Sequence, residues 1–224
     1  MKTALLTPQA AYDLWAQTYP PIAHNPLMQV EQGVVERLIG QQRATRALDV
    51  GTGSGRYLTV LAATGARVVV GLDFSRAMLA RAAGASRVRA DACCLPFRGG
   101  AFDLINASLM VGDVRDLDGW TREMARALAY GGHLVYSDFH PSWTQHDWRR
   151  TFRDARGQTH ELKLQPHAID DHLAALAAAG LQVLAIREPR FEHDTDASVK
   201  AFRRQWDNPP VVAVFHAVRP HGPQ

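Results

Sequence analysis

Short apolar runs alternate with amphipathic stretches over most of the chain. Residues 47–50 form an apolar run that ends in glycines, and 56–63 after it read as a helix. Residues 67–72, with Val68, Val69 and Val70 in succession, read as a second buried strand, and Ser75 caps a helix over 76–83. Strands follow at 87–90 and 102–106, then a helix from about 117 to 129. Gly131 and Gly132 stop that helix, and 133–137 form a fifth strand. Past it the rhythm breaks, because residues 139–168 are rich in Trp, His and Arg without a clear period. Regularity returns with a helix at 169–179 ended by Gly180, and a strand at 181–187. A short helix at 197–205 precedes a last strand at 211–218.

Strands that alternate with helices of about 10–15 residues imply an α/β fold, a parallel sheet with helices on both faces. Residues 1–40 precede the first strand and read as an N-terminal helical lid, with the main domain over 41–224. Within it, 139–168 is an insertion on the substrate side, since a sheet of this kind has its ligand edge there.

Composition adds exclusions. The 224 residues suit one ordinary domain, and 46% hydrophobic with 21% charged is globular and not disordered. The surplus of 25 Lys+Arg over 22 Asp+Glu is only +3, with no aromatic-basic repeat, which argues against a nucleic-acid partner. No apolar run approaches the roughly 18 residues of a membrane span, and the N-terminal residues do not read as a signal peptide. Cys93 and Cys94 are neighbours, too few for a structural zinc site and poorly placed to bridge, so a cytoplasmic location is expected. The ten histidines show no metal-binding spacing, so no metal is expected.

The sharpest chemical feature is Leu48-Asp49-Val50-Gly51-Thr52-Gly53-Ser54-Gly55-Arg56, running from a strand into a helix. Glycines let the backbone turn tightly and let a ligand approach without a Cβ clash. A dinucleotide loop is G-x-G-x-x-G, whereas this one is G-x-G-x-G with Arg56 where the last glycine belongs. Asp49, just before the glycines, favours a ligand with a positive group over a pyrophosphate, and no G-K-S/T follows. Asp73 ends the second strand, where a carboxylate can accept from both hydroxyls of an adenosine ribose; alone it also reads as a helix-capping Asp. Asp91 ends the third, where it could accept from an adenine amino group; alone it reads as a turn residue. Three acids at three successive strand ends are hard to read as chance.

With these motifs the chain resembles the class I S-adenosylmethionine-dependent methyltransferases. The likeness is to the small-molecule group of ubiquinone and menaquinone methyltransferases and the malonyl-carrier O-methyltransferase of biotin synthesis. It is carried by residues 48–55 and 70–75, by Asp91 with Leu95-Pro96-Phe97, and by Phe102-Asp103-Leu104-Ile105. Residues 127–136 and the lead-in Tyr12-Asp13-Leu14-Trp15-Ala16 add to it, so that about 10–137 is covered. The resemblance implies a Rossmann-like, seven-stranded, mostly parallel sheet whose last strand is antiparallel. It implies S-adenosylmethionine as cofactor, with S-adenosylhomocysteine as product. Asp49, Gly51 and Gly53, with Thr52 and Gly55 of the same loop, would meet the methionine moiety, Asp49 drawing its ammonium. Asp73 would hold the ribose, Phe74 and Met78 would flank the adenine, and Asp91 with Ala92 would read its edge. Asn106 and Ser108 would pass near the methionine end, and Tyr12, Trp15 and Tyr19 would close the lid.

The acceptor is then expected to be a small molecule, methylated at oxygen or nitrogen by in-line displacement. A leaving thioether departs neutral and needs no acid, and a base is needed only for a poor nucleophile. The stretch after the fourth strand, Leu109-Met110-Val111-Gly112-Asp113-Val114, departs from relatives that carry His before Val. Asp113 faces the substrate or caps the next helix. Histidine is the side chain suited to act as a base at neutral pH, which makes His140 a candidate, and Asp138 would orient it or the substrate; both also read as turn and packing residues. The aromatic and Arg-rich stretch 143–153 suits a planar or carboxylate-bearing acceptor, or a packed helix face. Asn208-Pro209-Pro210 precedes the last strand and reads as a turn, not as the N-P-P-Y signature of nucleic-acid or protein amino-methyltransferases. The rival readings are a methyltransferase of RNA or another macromolecule, a nicotinamide oxidoreductase disfavoured by the glycine spacing, and a non-catalytic cofactor-binding subunit.

Overall fold

A computed structural model describes residues 5–146, 149–193 and 196–222, with Leu5, Gln145 and His146 described by backbone alone. Residues 1–4 of the N-terminal reading, and Asp147 and Trp148 of the Trp- and Arg-rich stretch, lie outside the described residues.

The chain opens with β1 (Leu5–Leu6), α1 (Pro8–Trp15) and α2 (Pro26–Gly40). Thr7 caps α1 with Pro8 at its first position, and Asn25 caps α2 by accepting from the Met28 N–H, with Pro26 first in that helix. The alternating segment is β2 (Arg46–Val50), α3 (Leu58–Ala62), β3 (Val68–Asp73), α4 (Arg76–Leu79), β4 (Ser86–Arg89) and β5 (Phe102–Ser108). A 3-10 turn at Val111–Asp113 leads to α5 (Leu117–Ala127) and the long β6 (Leu128–Phe139). A second 3-10 turn, Pro141–His146, precedes β7 (Arg150–Arg153) and β8 (Thr159–Leu162). Then come α6 (Ile169–Ala178), β9 (Gln182–Arg187), α7 (Ala197–Trp206) and β10 (Val212–Val218).

Seven strands form one sheet in the order β4-β3-β2-β5-β6-β10-β9. Every neighbouring pair from β4 to β6 is parallel, and β10 runs antiparallel to both β6 and β9. This is the seven-stranded, Rossmann-like arrangement with an antiparallel last strand. The winding reverses between β2 and β5, the place where an open α/β sheet leaves a crevice beyond its strand ends. Both faces of the sheet are covered. Ile105, Tyr136 and Phe215 pack with Trp120 of α5 and Leu176 of α6. Their strand neighbours Leu104, Val135 and Val214 pack with Val35 of α2, Leu61 of α3 and Phe202 of α7. Each such side chain contributes about 1.5–3 kcal/mol by leaving water, which is why the strands read as continuous apolar runs.

Three differences from the sequence reading have local causes. α4 ends at Leu79 because Arg87 caps the Leu79 and Ala82 carbonyls, at 3.1 and 2.9 Å, and the chain turns at Gly84. β6 begins at Leu128, where the backbone leaves α5 extended and pairs with Phe102 of β5 before Gly131 redirects it at φ +76°. The stretch without a period contains strands after all. β7 and β8 pair antiparallel, and β1 adds in parallel, Leu5 opposite Glu161, to make a second sheet of three strands. Phe152 and Leu162 bury against Ala11 of α1, so the N-terminal segment and the insertion share one small core.

Candidate functional site

The glycine loop leaves β2 and is tied to β3 at two points. The Thr52 N–H donates to the Leu72 carbonyl at 2.9 Å, and the Gly53 N–H donates to Asp73 Oδ2 at 2.8 Å. Gly51 and Gly53 have φ of +68° and +56°, left-handed values that side chains resist. A Cβ on Gly51 would stand 2.8 Å from the Met110 Cβ, so the loop passes against the segment after β5 with no room to spare. Gly55, at φ +90°, packs against Leu58 and Ala82 instead.

Two buried carboxylates flank this loop. Asp49 accepts from the Thr52 hydroxyl and the Asn106 amide, both at 2.7 Å, and Ser108 donates to the Asn106 oxygen at 3.1 Å. Burial pushes Asp49 up to about 6, against the pull of those two donors. Asp73 accepts from the Gly53 N–H through Oδ2 and from the Ser75 N–H through Oδ1, both at 2.8 Å. Burial raises its pKa as well, opposed by the backbone donors Ser75, Gly53 and Phe74. The carboxylate keeps acceptor capacity beyond these donors, and the residue borders open space.

That space is a cavity of about 610 Å³ above the sheet edge. At one end it is bordered by Gly51, Gly53, Asp73, Phe74, Met78 and Ala92. At the other end stand Phe139, Trp143, Phe191, Phe202 and Trp206, an apolar and largely aromatic chamber. Tyr12, Trp15 and Tyr19 cover it from the N-terminal side, with Trp15 stacked on Phe152 of β7 at 4.8 Å. A side crevice of about 40 Å³ opens between the glycine loop, Tyr19 and Ser108.

A buried ionic cluster joins the cover to the floor. Arg150 of β7 meets both Asp113 oxygens at 3.0 and 3.1 Å, and Tyr12 donates to Asp113 at 2.8 Å. Arg150 also donates to the Tyr12 hydroxyl and lies over the Phe139 ring. Burial works against the Arg150 charge, but Asp113 and Tyr12 outweigh it and its pKa rises; burial lifts the Tyr12 phenol well above its usual value.

Most of the expected cofactor residues converge. Tyr12, Trp15, Tyr19, Gly51, Gly53, Asp73, Phe74, Met78, Ala92 and Ser108 line the main cavity, and Asp49 and Thr52 line the crevice. Asn106 lies fully buried behind Asp49, and Asp91 is exposed at the rim, accepting from the Cys93 N–H at 2.8 Å. Of the three expected catalytic residues only Asp113 borders the cavity. Asp138 is buried on the other face of β6, 3.6 Å from His172 of α6. His140 accepts the Ser142 N–H at Nδ1 and faces Glu188 through Nε2 at 2.8 Å, which engages both ring nitrogens away from the cavity.

Two residues of the site escaped the sequence reading, and a third, Arg150, was singled out only as part of the stretch 143–153. Arg56 registered only as a missing glycine. Glu31 of α2 has no exposed surface; it accepts from Arg56 at 2.9 Å, the Tyr57 hydroxyl at 2.8 Å and the Ser137 hydroxyl at 2.7 Å. The signal was present: Glu31 sits on the stripe of Met28, Val35 and Leu38, where an acid is buried only if it is paired.

Residues 48–136 match the methyltransferase domain family. The demethylmenaquinone methyltransferase of Mycolicibacterium gilvum is 42% identical over 100 residues, which is 43% of this chain and 42% of the relative. The match thus spans under half the length of that curated relative. Among solved structures, an S-adenosylmethionine-dependent methyltransferase of Mesorhizobium loti superposes with TM-score 0.66 at 26% identity, covering 85% of this chain and 98% of the other. A geranyl diphosphate C-methyltransferase of Streptomyces coelicolor, solved with S-adenosyl-L-homocysteine, shares the fold with TM-score 0.62 at 18% identity, covering 85% and 81%.

Proposed function

We propose that this chain, whose residues 48–136 are a class I methyltransferase domain with S-adenosylmethionine as its cofactor, methylates a flat, largely apolar small molecule at oxygen or nitrogen. The observation that carries the reading is one continuous cavity with an acidic seat, Asp73 opposite the glycine loop, at one end and an aromatic chamber at the other. The residues present fit the cofactor. The Asp73 carboxylate borders the cavity where ribose hydroxyls would donate to it, Phe74 and Met78 offer faces to an adenine with Ala92 and Asp91 at its edge, and Asp49 supplies a carboxylate for an ammonium.

When bound, the sulfonium supplies an activated methyl group whose leaving thioether departs neutral. The rest of the work falls to the chain. Tyr12, Trp15 and Tyr19 exclude water, and the rings of Phe139, Trp143 and Phe202 hold a planar acceptor by stacking. Orientation of this kind is worth up to ~7–11 kcal/mol in favourable cases. Asp113 shares its carboxylate with Arg150 and Tyr12, so its part is to fix the chamber wall and not to take a proton. The acceptor therefore arrives already nucleophilic, as an amine or an ionised hydroxyl. A relative is named for demethylmenaquinone, whose missing methyl belongs on a ring carbon, so a reduced naphthoquinone is the first acceptor to test: its ionised hydroxyl is nucleophilic at oxygen and, by conjugation, at the neighbouring carbon.

Calorimetric titration with S-adenosylmethionine, S-adenosylhomocysteine and NAD comes first, with the first two expected to bind and NAD not. Methyl-labelled donor is then offered with reduced naphthoquinones, phenols, aromatic amines and total RNA. Label in the small-molecule extract is expected. Label in RNA, or binding of NAD alone, would overturn the proposal.

A further inference from the structure

The side crevice is lined by groups of opposite charge. Asp49 and Arg56 both border it, together with Gly51, Gly53, Tyr19 and Ser108. Its volume of about 40 Å³ admits a group little larger than a water molecule, and five of its residues also border the main cavity.

Arg56 is paired at one end only. Its hydrogen bonds to Glu31, at 2.9 Å, and to Gln32, at 3.3 Å, both leave from Nη1. The side chain is 11% exposed and its guanidinium lies 4.4 Å over the Tyr57 ring, so it is fixed in place. Nη2 and Nε carry three N–H donors with no acceptor among the described residues, on a cation that borders the crevice. Glu31 is fixed in turn by Tyr57 and Ser137, and it belongs to α2 of the N-terminal segment.

A carboxylate and a half-paired guanidinium that line the same small crevice are the complement of an α-amino acid zwitterion. We propose that Arg56 receives the carboxylate of the cofactor's methionine moiety through its free edge, and that Glu31 is the positioning residue that aims it. The inference rests on the cofactor reading above. It ties donor binding to α2, because the acid that orients Arg56 belongs to that helix.

The test compares S-adenosylhomocysteine with S-adenosyl-3-thiopropylamine, the same thioether without its carboxylate, by calorimetry. A charge-assisted pair predicts that the wild-type protein prefers the carboxylate-bearing ligand by about 10- to 100-fold. Arg56→Gln should reduce that preference to about threefold or less while the analogue binds as it does to the wild type. Since Arg56→Gln leaves Glu31 buried with one partner fewer, the paired variant Glu31→Gln/Arg56→Gln removes both charges together and should lose the preference equally. Arg56→Lys should keep part of it. Equal binding of the two ligands by the wild type, or a preference that survives in the paired variant, overturns this inference and leaves the cofactor reading standing. Failure of both ligands to bind the wild type overturns the two together.

Discussion

Asp49 combines two properties that water would not allow together. It is buried and, in the function proposed above, it faces a ligand cation, and its donors Thr52 and Asn106 only partly offset the lost hydration. Its pKa of about 6, against 3.8 in an unstructured chain, means that folding takes up a proton between those values. The sign follows. The contribution of Asp49 to the stability of the free protein is fully present below about 3.8 and is lost as pH rises through about 6. Ligand binding runs the other way, because an ammonium prefers the ionised carboxylate. Affinity for S-adenosylhomocysteine should rise by up to about tenfold between pH 5 and pH 7 and level off above. Asp49→Asn should bind more weakly at pH 7 and lose that slope, which titration calorimetry at four pH values would read. A slope retained in Asp49→Asn would assign it to another group.

At the scale of elements, the glycine loop shows why sequence reading succeeded at one end of the cavity and failed at the other. Its chemistry is local, since Asp49, the three glycines and Asp73 lie within one strand–helix–strand unit whose period is plain. The opposite end is assembled from distance. β1 has two residues, and its partner β8 lies more than 150 positions away, so no window of the sequence holds both. β7 and β8 have four residues each, too short for alternation to stand out, and Phe152 becomes a core residue only once α1 is folded over it. His140 and Asp138 looked promising for the same local reason, their place at the end of a strand. Strand alternation sends Asp138 toward α6, and Glu188 of the loop after β9 takes His140. The loop itself can be tested as an element. Gly51→Ala puts a Cβ on a φ of +68° and 2.8 Å from Met110, which together should cost about 1–3 kcal/mol and push the loop into the cavity. Cofactor affinity should fall by at least about tenfold. Gly33→Ala, on α2 with open space around it, should bind normally and melt at or above the wild-type temperature.

In the whole molecule, one buried ion pair joins α1 and the insertion to the turn after β5. Tyr12 comes from α1, Asp113 from the turn after β5 and Arg150 from β7, so three distant parts of the chain meet at a single buried contact. Removing one partner of such a pair costs about 3–5 kcal/mol, because the remaining charge is left without compensation in an apolar site. The large sheet need not bear that cost. Its core of Leu48, Ile105, Tyr136 and Phe215 is separate from the small one of Ala11, Phe152 and Leu162. Global unfolding of an ordinary domain costs about 5–15 kcal/mol, whereas opening the small core alone exposes only a few side chains and returns Asp113 to water. Arg150→Gln should therefore open the cover locally. Amide hydrogen exchange is expected to speed up by about two to three orders of magnitude over α1, β7 and β8, with β2, β5 and β6 protected as in the wild type. Adding Asp113→Asn removes the stranded charge and should restore much of the lost protection. If exchange rises equally in the central strands, cover and sheet unfold as one unit, and the ion pair is a global clamp and not a hinge point.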